Sequence, residues 1–274
     1  MNKEEYFIKQ FSNNKFIGDD GAVVGEYVYS MDAFFENVHF KTSWMSLKQI
    51  AKKAMLVNIS DAIVMNAVPK YILLSVAIPP HFTKKDLDQL SSGFKKVVKK
   101  FNCTIIGGDT ISNNKLDISI TVISKTKKPI LRTGTKIGNM VCYTGSLGSV
   151  KKDLEKLQKG KKIDKKSKFI EPKLNPEFFY EVSKYINSAL DISDGLFFEL
   201  ERLSKLNNVG FDLFEKIDKS VGCSGEEYEV LFTFDLKYKK KIVKIAKKHN
   251  VDLNIFAIAK EGSFNCDCKE HHFS

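Results

Sequence analysis

The sequence predicts an α+β protein of two domains. Its length, its mixture of elements and a change of character near the middle lead to that prediction. The 274 residues are enough for one large domain or for two of ordinary size. Both halves mix strand-like runs with amphipathic helices and have hairpin-like neighbouring strands, which is typical of the α+β class. The character of the sequence changes around Pro129–Gly138, which places the domain boundary near residue 136. We therefore expect domains at 1–136 and 137–274.

The first half predicts two helices among several strands. Residues 46–67, SLKQIAKKAMLVNISDAIVMNA, space their apolar side chains about 3.6 residues apart, as a helix does. A second helix is predicted at Thr83–Phe101, where Thr83 followed by Asp86 provides an N-terminal cap. Strands are predicted at Tyr27–Ser30, Tyr71–Ile78, Cys103–Ile106 and Leu116–Ser124.

The second half starts with a predicted strand and a glycine turn, and a lysine-rich run follows. After that run, the periodicity and the local signals predict both helices and strands up to the C-terminal region. The predicted elements are a strand at Met140–Thr144, a helix near Pro176–Asn187, a helix at Gly195–Leu206, a strand at Glu229–Phe234 and a basic helix at Lys237–His249.

The net charge of +11 suggests at first a nucleic-acid partner, but much of that charge lies in one segment. Lys151–Lys173 holds ten lysines against four acidic residues. This run lacks the interleaved aromatic residues that stack on bases. A solvated loop or helix face is therefore the better interpretation, and no nucleic-acid partner is expected.

Hydropathy predicts no membrane association. No segment approaches the roughly 18 consecutive apolar residues that a membrane-spanning helix needs. The first residues, MNKEEYFIKQF, contain two acidic residues and no apolar run, unlike a signal peptide. We therefore expect a cytoplasmic protein.

The five cysteines form an odd and scattered set, which favours reduced thiols over a disulfide framework. Cys266 and Cys268 lie close to His271 and His272, a grouping that invites a zinc interpretation. The spacing C-x-C followed by H-H differs from that of the common structural zinc sites. We therefore expect free thiols in a C-terminal tail.

Five short motifs each place an aspartate beside glycine or serine and next to an apolar run. Any one of these aspartates alone is better explained as a turn or cap residue, and Asp61 alone as part of a polar helix face. Several carboxylates converging on one point, however, would repel each other unless cations lay between them. Their hard oxygen atoms suit Mg²⁺, which completes its shell with water and phosphate oxygens. The motifs are Ile17-Gly18-Asp19-Asp20, Ser30-Met31-Asp32, Asn58-Ile59-Ser60-Asp61, Gly107-Gly108-Asp109-Thr110 and Asp191-Ile192-Ser193-Asp194-Gly195.

In this order the motifs resemble those of the thiamine-monophosphate kinases, and the resemblance runs from about Phe16 to Phe234. It implies an N-terminal α+β domain that pairs with its twin into a dimeric, β-barrel-like core, and a C-terminal domain in which helices cover a sheet. It also implies a homodimer that binds ATP between the domains. With several Mg²⁺ ions, such an enzyme transfers the γ-phosphoryl group of ATP to thiamine phosphate, giving thiamine diphosphate.

The resemblance also implies roles for individual residues of this sequence. Asp61, Asp109 and Arg132 would be catalytic, and His39 with Glu226 of the SGEEYEV segment would bind thiamine phosphate. The nucleotide would be bound by Gly108, Asp109, Arg132 and Ser193. The metal ligands would be Asp20, Ser30, Asp32, Asp61, Asp109, Asp191 and Asp194.

The chain departs from the family pattern in several places. Met31 stands where a threonine is usual, and Asn175 stands where an arginine often helps to shape the domain interface. Ser149-Val150-Lys151-Lys152 replaces a helix of small residues. In the terminal segment Lys269–Phe273, Glu270 takes the position of an aromatic residue expected to stack on thiamine.

Two other interpretations remain. One is another ATP-using member of the same superfamily, which includes aminoimidazole ribonucleotide synthetase and selenophosphate synthetase. The first 30 residues lack the cysteine that a selenophosphate synthetase needs, and the chain ends without the cysteine of the hydrogenase-maturation type. For the ribonucleotide synthetase, this sequence contains no obvious residue that would distinguish it from the kinase. The second is a basic nucleic-acid-binding protein with a degenerate site, for which no motif is present.

Overall fold

Two five-stranded sheets organise the chain, and the computed structural model describes residues 3–11 and 14–269. The strand orders are β1-β2-β5-β3-β4 in the first sheet and β7-β9-β6-β10-β8 in the second. In chain order the elements are α1 (Lys3–Lys9), β1 (Ala22–Val24), β2 (Tyr27–Phe35), α2 (Leu47–Val64), β3 (Val68–Ile78), α3 (Lys84–Phe101), β4 (Thr104–Ser112), β5 (Asp117–Lys125), β6 (Asn139–Thr144), α4 (Ser149–Gln158), α5 (Pro176–Val182), β7 (Ile186–Asp191), α6 (Leu196–Asn207), β8 (Gly210–Leu213), α7 (Lys219–Gly222), β9 (Val230–Asp235), α8 (Lys239–His249) and β10 (Leu253–Lys260).

The two long helices of the first half begin where local signals predict. Ser46 forms a capping box with Gln49 at the start of α2, and Thr83 forms one with Asp86 at the start of α3. The α3 helix buries only one stripe, which contains Leu90 and Phe94. The α2 helix instead buries most of its circumference, because it packs between the two halves of the chain.

The second sheet is covered by helices on both faces. Leu196, Leu200 and Leu203 of α6 pack with Val141 and Leu231 on one face. The other face, with Phe232 and Phe234, packs against α5 and α8. Two sheets with helices packed on them confirm the predicted α+β class.

The first sheet carries helices α2 and α3 on one face and leaves its other face open. Neither this sheet nor the second closes into a barrel within the described part of the chain. Apolar side chains that would be buried in an ordinary sheet lie exposed on β2, β3 and β4. On the open face they are Tyr29, Met31, Phe35, Val68, Tyr71, Leu73 and Ile111, and Ile105 and Ile106 are exposed at the edge of β4.

Several predicted boundaries were wrong because strand pairing within the two sheets decides them. The strand predicted at Cys103–Ile106 continues through the Gly-Gly-Asp motif as β4, since strand β3 pairs in parallel with that whole segment. The helix predicted near Pro176–Asn187 ends at Val182, because the following apolar residues enter the second sheet as β7. Strands β8 and β10 were not predicted, and long-range pairing with the second sheet accounts for both.

The cysteines also differ from expectation. Cys223 and Cys268 form a disulfide with a Cα–Cα distance of 5.7 Å, so the prediction of reduced thiols was wrong for this pair. Cys103 and Cys142 are buried free thiols, and Cys266 is a partly exposed one. His271, His272 and Glu270 lie outside the described residues.

Among the helices that the structure describes, none combines the length and the apolar character needed to cross a lipid bilayer.

Candidate active site between the two sheets

Three carboxylates from distant parts of the chain meet where the two sheets adjoin. Asp20 lies in the loop before β1, Asp61 in the last turns of α2 and Asp191 at the end of β7. One carboxylate oxygen from each lies within 4.8 Å of the others. Two rigid elements and one short loop thus bring together residues that the aspartate motifs predicted to converge.

Asp32 adjoins this group from β2. Its backbone N–H donates to Asn58 Oδ1 at 2.8 Å, and Asn58 in turn donates from Nδ2 to the carbonyl of Ala54 within α2. The Asn58 amide therefore joins the strand to the helix. This explains why the Asn-Ile-Ser-Asp motif contains an asparagine three residues before Asp61.

Burial and mutual repulsion raise the pKa values of these acids. Burial and then the charges of Asp20 and Asp194 raise the pKa of Asp32 to about 6. Burial followed by neighbouring aspartates raises the pKa of Asp61 and of Asp191 well above the usual range. Carboxylates in this condition cannot all ionise near neutral pH unless positive charge is placed among them.

Three buried polar atoms at this place have no hydrogen-bond partner among the residues that the structure describes: Asp20 Oδ2, Ser30 Oγ and Arg132 Nε. Buried polar groups are nearly always satisfied, so such atoms indicate that something else completes the site. Two of the three are oxygen atoms, beside further carboxylate oxygens. This donor set fits a hard divalent cation such as Mg²⁺.

Arg132 is fixed at the edge of the cluster by contacts at both its ends. Its Nη2 lies 2.6 Å from Asp20 Oδ1, and the Asp20 side chain is only 1% exposed. Its backbone N–H donates to Asp19 Oδ1 at 2.7 Å, and burial raises the pKa of Asp19 to about 6. The guanidinium is thus held beside the acids while its Nε stays free for another acceptor.

Asp194 follows Asp191 by three residues in the Asp-Ile-Ser-Asp-Gly motif, and residues of helix α6 hold its side chain. Arg202 Nη2 lies 3.2 Å from Asp194 Oδ2, and Arg202 also forms an ion pair with Glu199. The side chain of Glu199 is fully buried, and that burial raises its pKa to about 7. Gly195 permits this tight turn with φ +113°, and a Cβ there would lie 3.1 Å from the carbonyl oxygen of Gly222.

Ser193 and Glu226, assigned to the nucleotide and the acceptor, are neighbours. The backbone N–H of Glu226 donates to the carbonyl of Ser193 at 2.6 Å. The Glu226 carboxylate forms an ion pair with Lys53 of α2, Oε2 to Nζ, at 2.8 Å. His39 stacks on Phe34 with ring centroids 5.4 Å apart, and its Nδ1 accepts from the backbone N–H of Phe35.

The other two acids of the SGEEYEV segment face into a buried network. Lys168 Nζ lies 2.9 Å from Glu227 and 2.8 Å from Glu229. Glu227 also accepts from the backbone N–H groups of Gly148 and Val150 at the start of α4. The Lys168 side chain is only 14% exposed, so the interpretation of the basic run as a solvated face was wrong for this residue.

Gly108 and Asp109 do not join the cluster within one chain. Through the strand pairings, Asp109 aligns with Ser75 and Ser119 on the open face of the first sheet, whereas Asp32 lies on the helix-covered face. Strands β2 and β4 are three strand spacings apart, or about 14 Å. Gly108 has φ +149°, and a Cβ there would lie 1.8 Å from the carbonyl oxygen of Leu74, so close approach of β3 requires glycine.

Comparison with known proteins identifies relatives of this chain. Residues 18–126 match the family described as AIR synthase related protein, N-terminal domain. The thiamine-monophosphate kinase of Buchnera aphidicola subsp. Schizaphis graminum is 32% identical over 290 residues, covering 90% of this chain and 88% of that protein. The thiamine-monophosphate kinase of Pyrococcus horikoshii is 30% identical, with 83% and 79% covered. The chain belongs to the thiamine-monophosphate kinase family.

Solved structures share the fold. The structure of AaThiL complexed with AMPPCP and TMP has a TM-score of 0.85 at 23% identity and covers 98% of both chains. A hydrogenase maturation protein HypE has a TM-score of 0.71 at 13% identity, covering 91% of this chain and 86% of that one. Because the fold spans both kinds of protein, the sequence relatives rather than the fold identify this chain as a member of the kinase family.

Three residues of the candidate site were missed in the sequence: Lys53, Glu199 and Arg202. Asp19 was named within its motif but was given no role of its own. Lys53 follows another lysine in an amphipathic-looking helix, so nothing local marks it as buried. Glu199 and Arg202 were identifiable in principle. They follow Asp194 by five and eight residues at the start of a predicted helix, and their spacing of three places them on one face.

Proposed function

We propose that this protein transfers the γ-phosphoryl group of ATP to thiamine monophosphate and releases thiamine diphosphate and ADP. The observation that carries the proposal is the meeting of Asp20, Asp61 and Asp191 within 4.8 Å, beside Asp32 and Arg132. A buried, mutually repelling set of carboxylates with unpartnered oxygen atoms is suited to holding cations against polyphosphate.

The acceptor explains why the reaction requires no strong general base. A phosphate monoester has a second pKa of about 6, so its oxygens are already ionised near neutral pH. The obstacle is the approach of two polyanions, and catalysis then depends on positioning and on positive charge. Arg132 suits that role because its forked guanidinium is fixed at the cluster and its Nε is unpaired.

The residues that would hold magnesium are those that share the cluster and its surroundings. They are Asp20, Ser30, Asp32, Asp61, Asp191 and Asp194. Magnesium bound there neutralises phosphate charge and polarises the phosphoryl oxygens. The protein's own contribution is to fix the carboxylates on α2, β2 and β7 before substrates arrive, so that little reorganisation is needed in the reaction.

Nucleotide and acceptor would lie on different sides of the cluster. Arg132 and Ser193 are proposed to face ATP, and Glu226 and His39 to face thiamine monophosphate. The hydrogen bond from Glu226 N–H to the Ser193 carbonyl supports binding of the two substrates next to each other, as phosphoryl transfer requires. Because ATP is the proposed donor, we expect the protein to act in the cytoplasm.

We further propose a homodimer in which two open sheet faces meet in a barrel-like core. The exposed apolar residues of β2, β3 and β4 support it, since soluble monomers rarely leave such a face uncovered. Strand β4 is also an edge strand. Gly108 and Asp109, which lie on β4, would then serve the nucleotide site of a second copy. The proposed domain boundary near residue 136 lies between β5 and β6.

A product assay tests the proposal. The purified protein is incubated with Mg²⁺ and ATP, and separately with thiamine monophosphate, thiamine or aminoimidazole-pathway precursors as acceptor. We expect thiamine diphosphate from thiamine monophosphate alone, detected by chromatography. Turnover of an aminoimidazole precursor instead would assign the chain to a different reaction of the superfamily.

A further inference from the structure

Lys53 is a fully buried lysine in the middle of α2, with its side chain 0% exposed. Its ammonium lies 2.8 Å from Glu226 Oε2 and 4.0 Å from the centroid of the Phe169 ring. It also lies 5.6 Å from the centroid of Phe34. Lysine is rarely buried unless it is paired, so this position requires both an anion and a favourable aromatic environment.

These contacts connect Lys53 with both residues proposed to bind the acceptor. Glu226 is bound directly through the ion pair. Phe34 links Lys53 to His39 indirectly. The Lys53 ammonium lies over the Phe34 ring, and His39 stacks on that same ring. The Lys53 ammonium thus fixes Glu226 directly and His39 indirectly, although these two residues come from different halves of the chain.

The surroundings of Glu226 show what that charge does. The backbone at Glu226 has φ +55° and is held by its hydrogen bond to Ser193. The side chain has one oxygen on Lys53 and remains 24% exposed. Its direction is therefore set by Lys53, while part of the carboxylate stays accessible to a ligand.

We propose that Lys53 is a positioning residue that aims the Glu226 carboxylate at the acceptor. The proposal deepens the proposed function and rests on it. Thiamine monophosphate carries a cationic thiazolium ring and an aminopyrimidine with N–H donors, and an oriented carboxylate complements either group. Lys53 then governs how well the acceptor binds, whereas ATP binding and phosphoryl transfer depend on the aspartate cluster.

The preceding residue provides a matched control. Lys52 also forms an ion pair between α2 and the second half of the chain, with Glu171. The Glu171 side chain is 44% exposed and is not among the residues of the candidate site. Lys52→Met therefore removes a neighbouring inter-half ion pair without disturbing Glu226.

The test compares Lys53→Met, Lys52→Met and the wild-type protein in steady-state kinetics with Mg²⁺-ATP and thiamine monophosphate. We expect Lys53→Met to raise the acceptor KM roughly tenfold or more while the KM for ATP stays within about twofold. Lys52→Met should leave both KM values within about twofold of wild type. An unchanged acceptor KM in Lys53→Met, or an equal rise for ATP, would overturn the assignment.

A double variant separates positioning from folding. Lys53→Met alone leaves Glu226 without its partner, so we expect a lower urea midpoint. In Lys53→Met/Glu226→Gln the unpaired charge is gone, and the midpoint should recover while the acceptor KM stays high. Recovery of the KM together with the midpoint would show a purely structural role. A wild-type protein that makes no thiamine diphosphate would defeat the proposed function itself, whereas an active wild type with an indifferent Lys53→Met defeats only this inference.

Discussion

Asp61 on helix α2 and Asp191 at the end of strand β7 come from different halves of the chain, yet their carboxylate oxygens lie within 4.8 Å of each other. Burial and the charge of nearby aspartates raise the pKa of both groups. Two such acids side by side destabilise the fold that holds them. Their close approach together with their burial indicates a site that a cation completes.

Asp61→Asn is expected to remove activity while preserving the fold. Loss of one electrostatic contributor at such a site costs on the order of 10²-fold or more in rate. The amide relieves repulsion, so the urea midpoint of the metal-free variant should be equal to or above that of wild type. Asp212→Asn, on the surface of β8, is the control and should leave both quantities unchanged. A clearly lower midpoint in Asp61→Asn would show that the carboxylate is structural.

The aspartate motifs predicted this cluster because each acid adjoins an apolar element that fixes its place. The sequence could not reveal which acids meet, since that depends on how the two sheets are oriented. Asp61 and Asp191 meet, whereas Asp109 lies on the opposite face of the first sheet. Lys53 was missed because periodicity alone does not distinguish a buried lysine from an exposed neighbour. The α+β class followed from local patterns, but β10 depends on pairing partners that are remote in sequence.

The metal-free protein should lose stability as pH rises from about 4 through 6. Folding raises the pKa of Asp19 and of Asp32 to about 6, above the usual value of about 3.9. The folded state therefore binds more protons than the unfolded state in this range, and the free energy of unfolding falls with pH. Glu181 acts in the opposite sense, because Lys248 holds its pKa at about 2, but its effect belongs to lower pH.

Urea unfolding at pH 4.5, 5.5 and 7 measures this dependence. Magnesium binds the ionised carboxylates, so millimolar Mg²⁺ should raise the midpoint at pH 7 much more than at pH 4.5. Asp32→Asn should flatten the metal-free profile. A metal-free midpoint that increases steadily from pH 4.5 to 7 would contradict the raised pKa values.

Ile106→Lys should produce a monomer with little activity. Ile106 lies at the register shift of edge strand β4 and is 53% exposed, so a charge there opposes contact of that edge with a second copy. Activity should fall because Asp109 would then be too far from any aspartate cluster. Ile137→Lys is the control. Ile137 is 59% exposed and lies in the connection between β5 and β6, so this variant should remain dimeric. Light scattering gives the mass, and a monomeric wild-type protein would refute the proposed dimer.

Cys268→Ser should lower stability without affecting catalysis. The Cys223–Cys268 disulfide joins residues 45 positions apart, and closing a loop of that length contributes about 4 kcal/mol at most in the chain-entropy description. The backbone of Cys223 lies beside Gly195, but neither sulfur is among the ligand atoms of the aspartate cluster, so kcat should stay within about twofold at temperatures where the variant is folded. Cys266→Ser, which removes a free thiol, is the control. A dithiol should lower the urea midpoint of the wild type and of Cys266→Ser, because both contain the disulfide. It should not lower the urea midpoint of Cys268→Ser.

Lys168→Met should be among the most destabilising single changes in the chain. Lys168 is the cation that offsets Glu227 and Glu229, whose side chains are 0% and 6% exposed. Removing it leaves two buried carboxylates without a counter-charge, and breaking a buried ion pair in this way costs about 3–5 kcal/mol. Lys165→Met changes an exposed lysine of the same basic run and should alter the urea midpoint by very little. Equal midpoints for the two variants would mean that Glu227 and Glu229 are satisfied by their other donors, Ser224 and Thr144, without the lysine.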